Sequence, residues 1–327
     1  MNVGFNVIQP GLLSLVQDSG RFGLHGIGLT TGGPLDRNAF RWANRLCENP
    51  ENSALLEVAV GGLTLESTLH TRIAVTGAAM PFSINKKPAA LWKTYTVAPG
   101  DRIELGFSSA GNRCYLAVAG GFQIDPVFNS VSTVSREGLG GLHGDGSALK
   151  SGDFLRLAQP AEASTLWQLD EHLRPTDSGN SATLRVIVGY QHAAYDNLQK
   201  QRFFTSEYRV TKNCDRMGYR LEGAAITGAI TGILSEGICQ GAIQIPADGQ
   251  PIILLSDRQT IGGYPKLGSV LSLDLDRLAQ LGPGGKVRFE PISIEQAHNL
   301  LLLAEYRLQS LTLTRISHDP SATQHSD

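Results

Sequence analysis

Between Ser256 and Val270 the chain runs SDRQTIGGYPKLGSV, directly after the apolar string Pro251 to Leu255. An acid, two cations, an amide, a hydroxyl, paired glycines and a tyrosine-proline step thus follow a buried-looking strand, which points to a pocket. Asp257 is placed to act as a base, and Arg258 and Lys266 supply positive charge. Gln259 and Thr260 offer hydrogen bonds to an amide. Gly262 and Gly263 can turn successive N–H groups toward an anionic oxygen. The alternative is a wide β-turn whose Tyr264 ring caps the core.

A second cluster, Asn213 to Arg220, carries the guanidinium forks of Arg216 and Arg220 and the phenol of Tyr219. Arginine holds planar carboxylates or phosphates through two parallel hydrogen bonds, a geometry lysine cannot copy. These arginines can equally be surface partners of Asp215 and Glu222. A third cluster, Gln17-Asp18-Ser19-Gly20-Arg21, reads first as a turn fixed by a local Asp-Arg pair.

Several chemistries are excluded. Gly26-Ile27-Gly28 is followed by Thr31 where a dinucleotide fingerprint needs its third glycine, and no GxxxxGK[ST] loop is present. No HExxH or HxH pair supports a metal site, and no GxSxG elbow occurs. None of Met1, Met80 and Met217 lies beside a lysine, so the usual biotin-attachment motif is missing. The net charge of -2, with 18% charged residues, gives no footprint for nucleic acid or an anionic membrane. Cys47, Cys114, Cys214 and Cys239 show no CxxC spacing, the N-terminus lacks a basic signal region, and no segment is apolar enough to span a bilayer. A reducing cytoplasm is expected.

The elements that must carry these clusters are mainly strands. At 327 residues and 41% apolar content, the chain can build one large core or two smaller ones. RIAVTG, YTVAPGDRIELG, RCYLAVAG, LRVIVG, GAIQIP, PIILLS and KVRFEP are β-branched runs separated by turn signals. Helices are few. One opens at Gly33-Pro34, carries Leu35, Ala39, Trp42, Ala43 and Leu46, and stops before Asn49-Pro50. Another begins at Ser293, with capping-box spacing to Gln296 and a stripe of Ile294, Ala297, Leu301, Ala304 and Leu308.

The pattern D-R-x-x-[FY]-R occurs at Asp36 to Arg41 and again at Asp215 to Arg220. In the same order, RIAVTG parallels PIILLS and APGDRIELG parallels GPGGKVRFEP. Duplication into two β-barrel halves follows, with a cleft between them. The expected division is 1–160, a linker at 161–182, a second half at 183–314 with a terminal helix, and a polar tail at 315–327.

NCDRMGYRLEG, GAIQIPADGQPIILLSDRQTIGGYPKLGSV and VQDSGRFGLHGIGLTTGGPLDRNAFRWANRL together resemble the family of C components of bacterial ATP-dependent 5-oxoprolinase. The same family is called allophanate hydrolase subunit 2 or biotin-dependent carboxyltransferase, and the resemblance runs from about Ile8 to Glu305. It implies two cyclophilin-like β-barrels. It also implies partners: a B component resembling allophanate hydrolase subunit 1 and, in the oxoprolinase system, an A component. The implied activity is ATP-dependent opening of 5-oxo-L-proline to L-glutamate by the complex, with ATP and magnesium used there and the chain inactive alone. The alternatives are a carboxyltransferase acting on urea or another amide, with biotin supplied by another chain, and a regulatory antagonist of a kinase inhibitor.

Carried over residue by residue, the resemblance gives Arg216, Tyr219 and Arg220 an anion to hold. It places Gln244, Asp257, Gln259, Thr260, Gly262, Gly263, Tyr264 and Lys266 around the pocket, with Asp257, Lys266 and Arg216 expected to be catalytic. Two departures stand out: Gln240 precedes Gly241 where relatives usually have proline, and Arg258 occupies a position that varies.

Overall fold

All seven β-branched runs form strands in the computed structural model, which describes residues 3–157, 165–175 and 179–316. In the first half they build two sheets. One has six strands in the order Phe154–Arg156, Gly4–Pro10, Leu63–Ser67, Arg102–Leu105, Phe82–Ile84 and Lys87–Ala89. The other has five, in the order Leu13–Gln17, Leu55–Ala59, Ala110–Val118, Thr71–Ala79 and Thr94–Val97.

The period of two along a strand divides the faces of the five-stranded sheet. Leu56, Val58, Cys114, Leu116 and Val118 meet Phe5, Val7, Leu65 and Ile103 of the other sheet in an apolar core. Leu55, Tyr115 and Ala117 instead pack on helix α1 (Arg37–Leu46) through Ala39, Phe40, Trp42, Ala43 and Leu46. Glu57 and Arg113 share the register of this second face, Glu57 pairing directly opposite Tyr115. An acid and an arginine are therefore carried under the helix, toward the other half.

The second half is a closed barrel of seven strands. Ser181–Val188 pairs antiparallel with Lys266–Val270 and parallel with Lys286–Ile292, which closes the cylinder. Ala242–Gln244, Ile252–Leu254, Gly218–Glu222 and Tyr208–Cys214 complete it. Leu184, Val186, Tyr219, Ile243, Ile253, Leu267 and Phe289 belong to its core.

The duplicated D-R-x-x-[FY]-R match does not mark equivalent places. Asp36 caps α1, accepting from the Ala39 N–H, whereas Asp215 makes an Asx-type turn by accepting from Met217 and Gly218 before a strand. Helix α1 also starts at Arg37 rather than Pro34, because Asp36 is the better cap. That leaves Leu35 free to bury itself in the second half's core. Helices α2 (Asn197–Thr205) and α3 (Ser272–Ala279) carry too short a pattern to be seen in the sequence. Helix α4 (Ile294–Ser310) begins at Ser293 with the full capping box. Its stripe is only partly covered, Ala297 being buried and Ile294 exposed.

The expected linker lies partly outside the described residues, but Leu166–Gln168 within it pairs with Thr314–Ile316. Of the expected tail, residues 317–327 lie outside the described residues. No helix among the described residues is long and apolar enough to cross a membrane.

Candidate functional site

The segment 256–266 passes two different environments, and the expected site residues divide between them. Its first residues lie in the seam between the halves. There the loop before α1 crosses over, the Gly32 N–H and Thr30 Oγ1 both donating to the Ser256 carbonyl at 3.1 and 3.0 Å. Ser256 Oγ donates in turn to the Pro34 carbonyl at 3.3 Å.

Arg216 and Asp257 meet in this seam. Arg216 donates from Nε and Nη2 to the two Asp257 oxygens, each at 2.9 Å, from Nη1 to Glu57 Oε1 at 2.6 Å, and from Nη2 to the Gly33 carbonyl at 2.6 Å. Burial opposes the Arg216 charge, yet Asp257 and Glu57 hold its pKa above the ordinary value. Burial likewise works to raise Glu57, but Arg216 and Arg113 hold it below the usual carboxylate range. Asp257 is itself raised by burial against the pull of Arg216. Tyr219 is fully buried, its hydroxyl accepting from Arg113 Nη1 at 2.9 Å and donating to the Leu281 carbonyl at 3.2 Å. With its forks committed in this way, Arg216 locks one half to the other.

The second environment is the mouth of the barrel. Lys266, 8% exposed, lies directly opposite Gln244 across neighbouring strands, and its Nζ makes an ion pair with Glu236. Gln191 spans the pair, its Nε2 donating to Glu236 Oε1 at 2.7 Å while its Oε1 accepts from the Lys266 N–H at 2.8 Å. The Tyr190 hydroxyl also donates to Glu236. Bonds from Lys266 and Tyr190 hold the Glu236 carboxyl below its usual range, and the bond to Glu236 raises the Tyr190 phenol.

Gly262 pairs with Glu236 in a short ladder, and Ile233 N–H donates to the Gly263 carbonyl. Neither glycine has the left-handed conformation of an anion nest, so that expectation is corrected. The absence of a side chain at Gly262 has another use: a Cβ there would lie 3.0 Å from Gln244 Nε2 and 2.4 Å from Ile238 Cδ1. Tyr190, Leu234, Ile261 and Tyr264 are exposed apolar side chains on the segments framing this floor. Tyr264 is 44% exposed and therefore does not cap the core.

The remaining expected residues lie apart. Arg220 is half-exposed, 3.7 Å from Asp248. Gln259 is exposed on the stretch joining seam and mouth, where the Thr260 carbonyl accepts from the Ile238 N–H. Asp18 and Arg21 form no pair with each other. Asp18 accepts from Ser130, Ser132 and the Val131 N–H, and Arg21 donates to the carbonyls of Val127 and Ser130.

A separate cleft of about 1060 Å³, lined by α1, α3 and α4 residues including Asp36, Arg37, Asp276 and Arg277, contains none of the expected site residues. Sequence reasoning missed Glu57, Arg113, Gln191, Tyr190 and Glu236. Glu57 was detectable as the lone charge inside the apolar strand LLEVA, whereas Glu236, in a strand of only two residues, carries no comparable signal.

Lys266 and Gln244 together can hold a carbonyl or anionic oxygen, with Glu236 and Tyr190 fixing the ammonium. Gly262 and Gly263 form no phosphate nest, and the Lys266 ammonium is paired with Glu236. No group of acids or imidazoles able to hold a metal ion occurs among the described residues.

The sequence profile of the carboxyltransferase domain, subdomains A and B, matches residues 27–291. The chain belongs to this carboxyltransferase family. Within the family it is 35% identical to the C component of 5-oxoprolinase from Escherichia coli over 294 residues, 89% of this chain and 92% of that one. Identity to the corresponding 5-oxoprolinase component of Haemophilus influenzae is 33% over 291 residues, 87% and 90% of the two chains. The crystal structure of Kluyveromyces lactis urea amidolyase superposes with a TM-score of 0.87 at 28% identity, covering 94% of this carboxyltransferase-family chain but 20% of that much longer one.

Proposed function

We propose that the chain is the C component of an ATP-dependent 5-oxoprolinase, opening the lactam of 5-oxo-L-proline to L-glutamate together with the A and B components in the cytoplasm. The observation that carries this reading is the end-to-end match to two 5-oxoprolinase C components, each covered to 90% or more. Urea amidolyase, by contrast, contains the likeness as a fifth of its length.

An unactivated lactam resists water, so the reaction needs donors aimed at charge developing on the amide oxygen. On this reading Lys266 and Gln244 hold the carbonyl, and Glu236, Gln191 and Tyr190 keep the ammonium in place. Arg216 and Asp257 act as positioning residues that fix the stem of the loop. ATP binds on another component of the complex and drives the opening, and the chain alone turns over nothing.

The test is release of glutamate and ADP from 5-oxo-L-proline and ATP by this chain mixed with separately produced A and B components. Turnover dependent on all three chains is expected. An assembled mixture that leaves the lactam intact overturns the reading. The match to urea amidolyase makes biotin-dependent carboxylation of urea the second reaction to assay in that mixture. Tight pairing with no turnover of either substrate would leave the regulatory role.

A further inference from the structure

Arg258 is 3% exposed, and among the described residues no carboxylate lies within ion-pair distance of it. Its Nε and Nη1 donate to the carbonyls of Ile238 and Leu255 at 3.1 and 3.4 Å, and its Nη2 faces His25 Nε2 at 3.5 Å. A buried cation without a counter-charge is costly and is ordinarily neutralised. Arg216, in the same seam, has two carboxylates.

The surroundings add positive charge. Arg37 donates from Nη2 to Gln240 Oε1 at 2.9 Å and also faces Asp276, and its field lowers the pKa of Arg258, as burial does more strongly. His25 lies on the other side. Burial and then Arg258 lower its pKa against the pull of Glu137, and its Nε2 also lies 3.0 Å from Thr31 Oγ1. The nearby acids are committed elsewhere: Asp257 to Arg216, and Glu137 to Arg136 and the Thr30 N–H. Cys239 lies close on the remaining side.

We propose that Arg258 and Arg37, the latter held by the Gln240 amide, form a binding site for one anionic group, a carboxylate or a phosphate, at the seam between the halves. His25 covers it from an exposed turn whose flanking glycines, Gly23 and Gly28, have left-handed conformations and open space, with no neighbour within 4 Å of where a side-chain carbon would stand. Displacing the imidazole exposes the guanidinium to a ligand. Gln240 stands where the family resemblance leads one to expect proline, and its amide ties Arg37 to the seam, its Oε1 accepting from Arg37 and its Nε2 donating to Ser256 Oγ at 3.1 Å. The site is independent of which reaction the complex runs.

The experiment is thermal unfolding and calorimetry of the full chain in anion-poor buffer, titrated with inorganic phosphate, 5-oxo-L-proline and, as control, chloride. Wild type is expected to gain stability saturably with phosphate or with 5-oxo-L-proline, and the responding anion identifies the group. Arg258→Met should lose that response while melting no lower than wild type in anion-poor buffer, since it removes a buried charge. Arg37→Gln and His25→Gln, at less buried positions, should fold and change affinity about tenfold or more, downward for Arg37. Equal responses to all three salts, no saturable response, or unchanged affinity in both of the latter variants overturns the site. So does an Arg258→Met chain that unfolds while Arg37→Gln and His25→Gln bind phosphate and 5-oxo-L-proline as wild type does, because Arg258 is then only a clamp on two carbonyls.

Discussion

At the scale of single residues, burial separates groups that fix structure from groups that can meet a substrate. Glu57 is buried between two arginines, bonded to Arg216 and 3.7 Å from Arg113 Nε. Glu57→Gln leaves those cations undercompensated and should cost about 3–5 kcal/mol in denaturant unfolding. Lys266→Met removes an ammonium at the open mouth, where Glu236 stays hydrated, so stability should change by only about 1 kcal/mol. Its effect should fall on turnover of the assembled complex, with kcat lowered about 100-fold or more and KM changed less. A variant that folds, assembles and turns over normally removes Lys266 from the chemistry. The sequence displayed Arg216, Asp257 and Lys266 as one set of polar groups because spacing records neither burial nor partners. Only the folded chain puts Asp257 in the seam and Lys266 at the mouth.

At the scale of elements, strands were legible because β-branched runs bounded by glycine and proline require no tertiary information. The helices were legible only where a cap or a long stripe announced them, as at Ser293. Helix α3 was invisible, yet it brings Asp276 to the start of α1, where Asp276 accepts from the Arg37 N–H at 2.8 Å beside Asp36. Burial, opposed by bonds from Ala39 and Gln280 and reinforced by Glu57, raises Asp36 to about 6. Burial and Asp36 together raise Asp276 well above its usual range. The folded state thus holds these protons more tightly than the unfolded chain. The stability Asp36 contributes in this way is complete below 3.8 and lost as pH rises through about 6, and Asp276 has the same sign. Glu57, lowered by its arginines, has the opposite sign and weakens the fold in acid. Asp276→Asn keeps an acceptor for Arg37 and removes one charge of the pair. It should match wild type near pH 4 and exceed it by about 1–2 kcal/mol at pH 7. Unfolding free energies of both chains across that range, remaining parallel, would show that the two carboxylates do not interact.

At the scale of the whole molecule, the duplicated plan was legible only as an expectation of two β halves, because the matching peptides that suggested it occupy a helix in one half and a hairpin in the other. What the sequence left hidden is how far each half completes the other. Leu35 leaves the first half to sit 1% exposed in the second half's core, and Glu57 balances Arg216 across the seam. Gln280 at the end of α3 accepts from the N–H groups of Asn112 and Arg113 and donates to Asp36. Each half therefore presents apolar and charged groups that are satisfied only by the other, and the two should unfold in one cooperative transition. Leu35→Ala tests this, because it opens a cavity in the barrel core while belonging in sequence to the first half. It should cost about 2–5 kcal/mol and lower a single melting transition followed identically by calorimetry and by tryptophan fluorescence. The fluorescence reports the first half in particular, since Trp42 and Trp92 are buried in the cluster around α1. If calorimetry instead resolves two transitions, with only the one invisible to tryptophan shifted by the substitution, the halves are separate folding units and the seam is a contact between finished domains. A single shifted transition makes the seam part of the fold, so that any ligand bound there stabilises both halves at once.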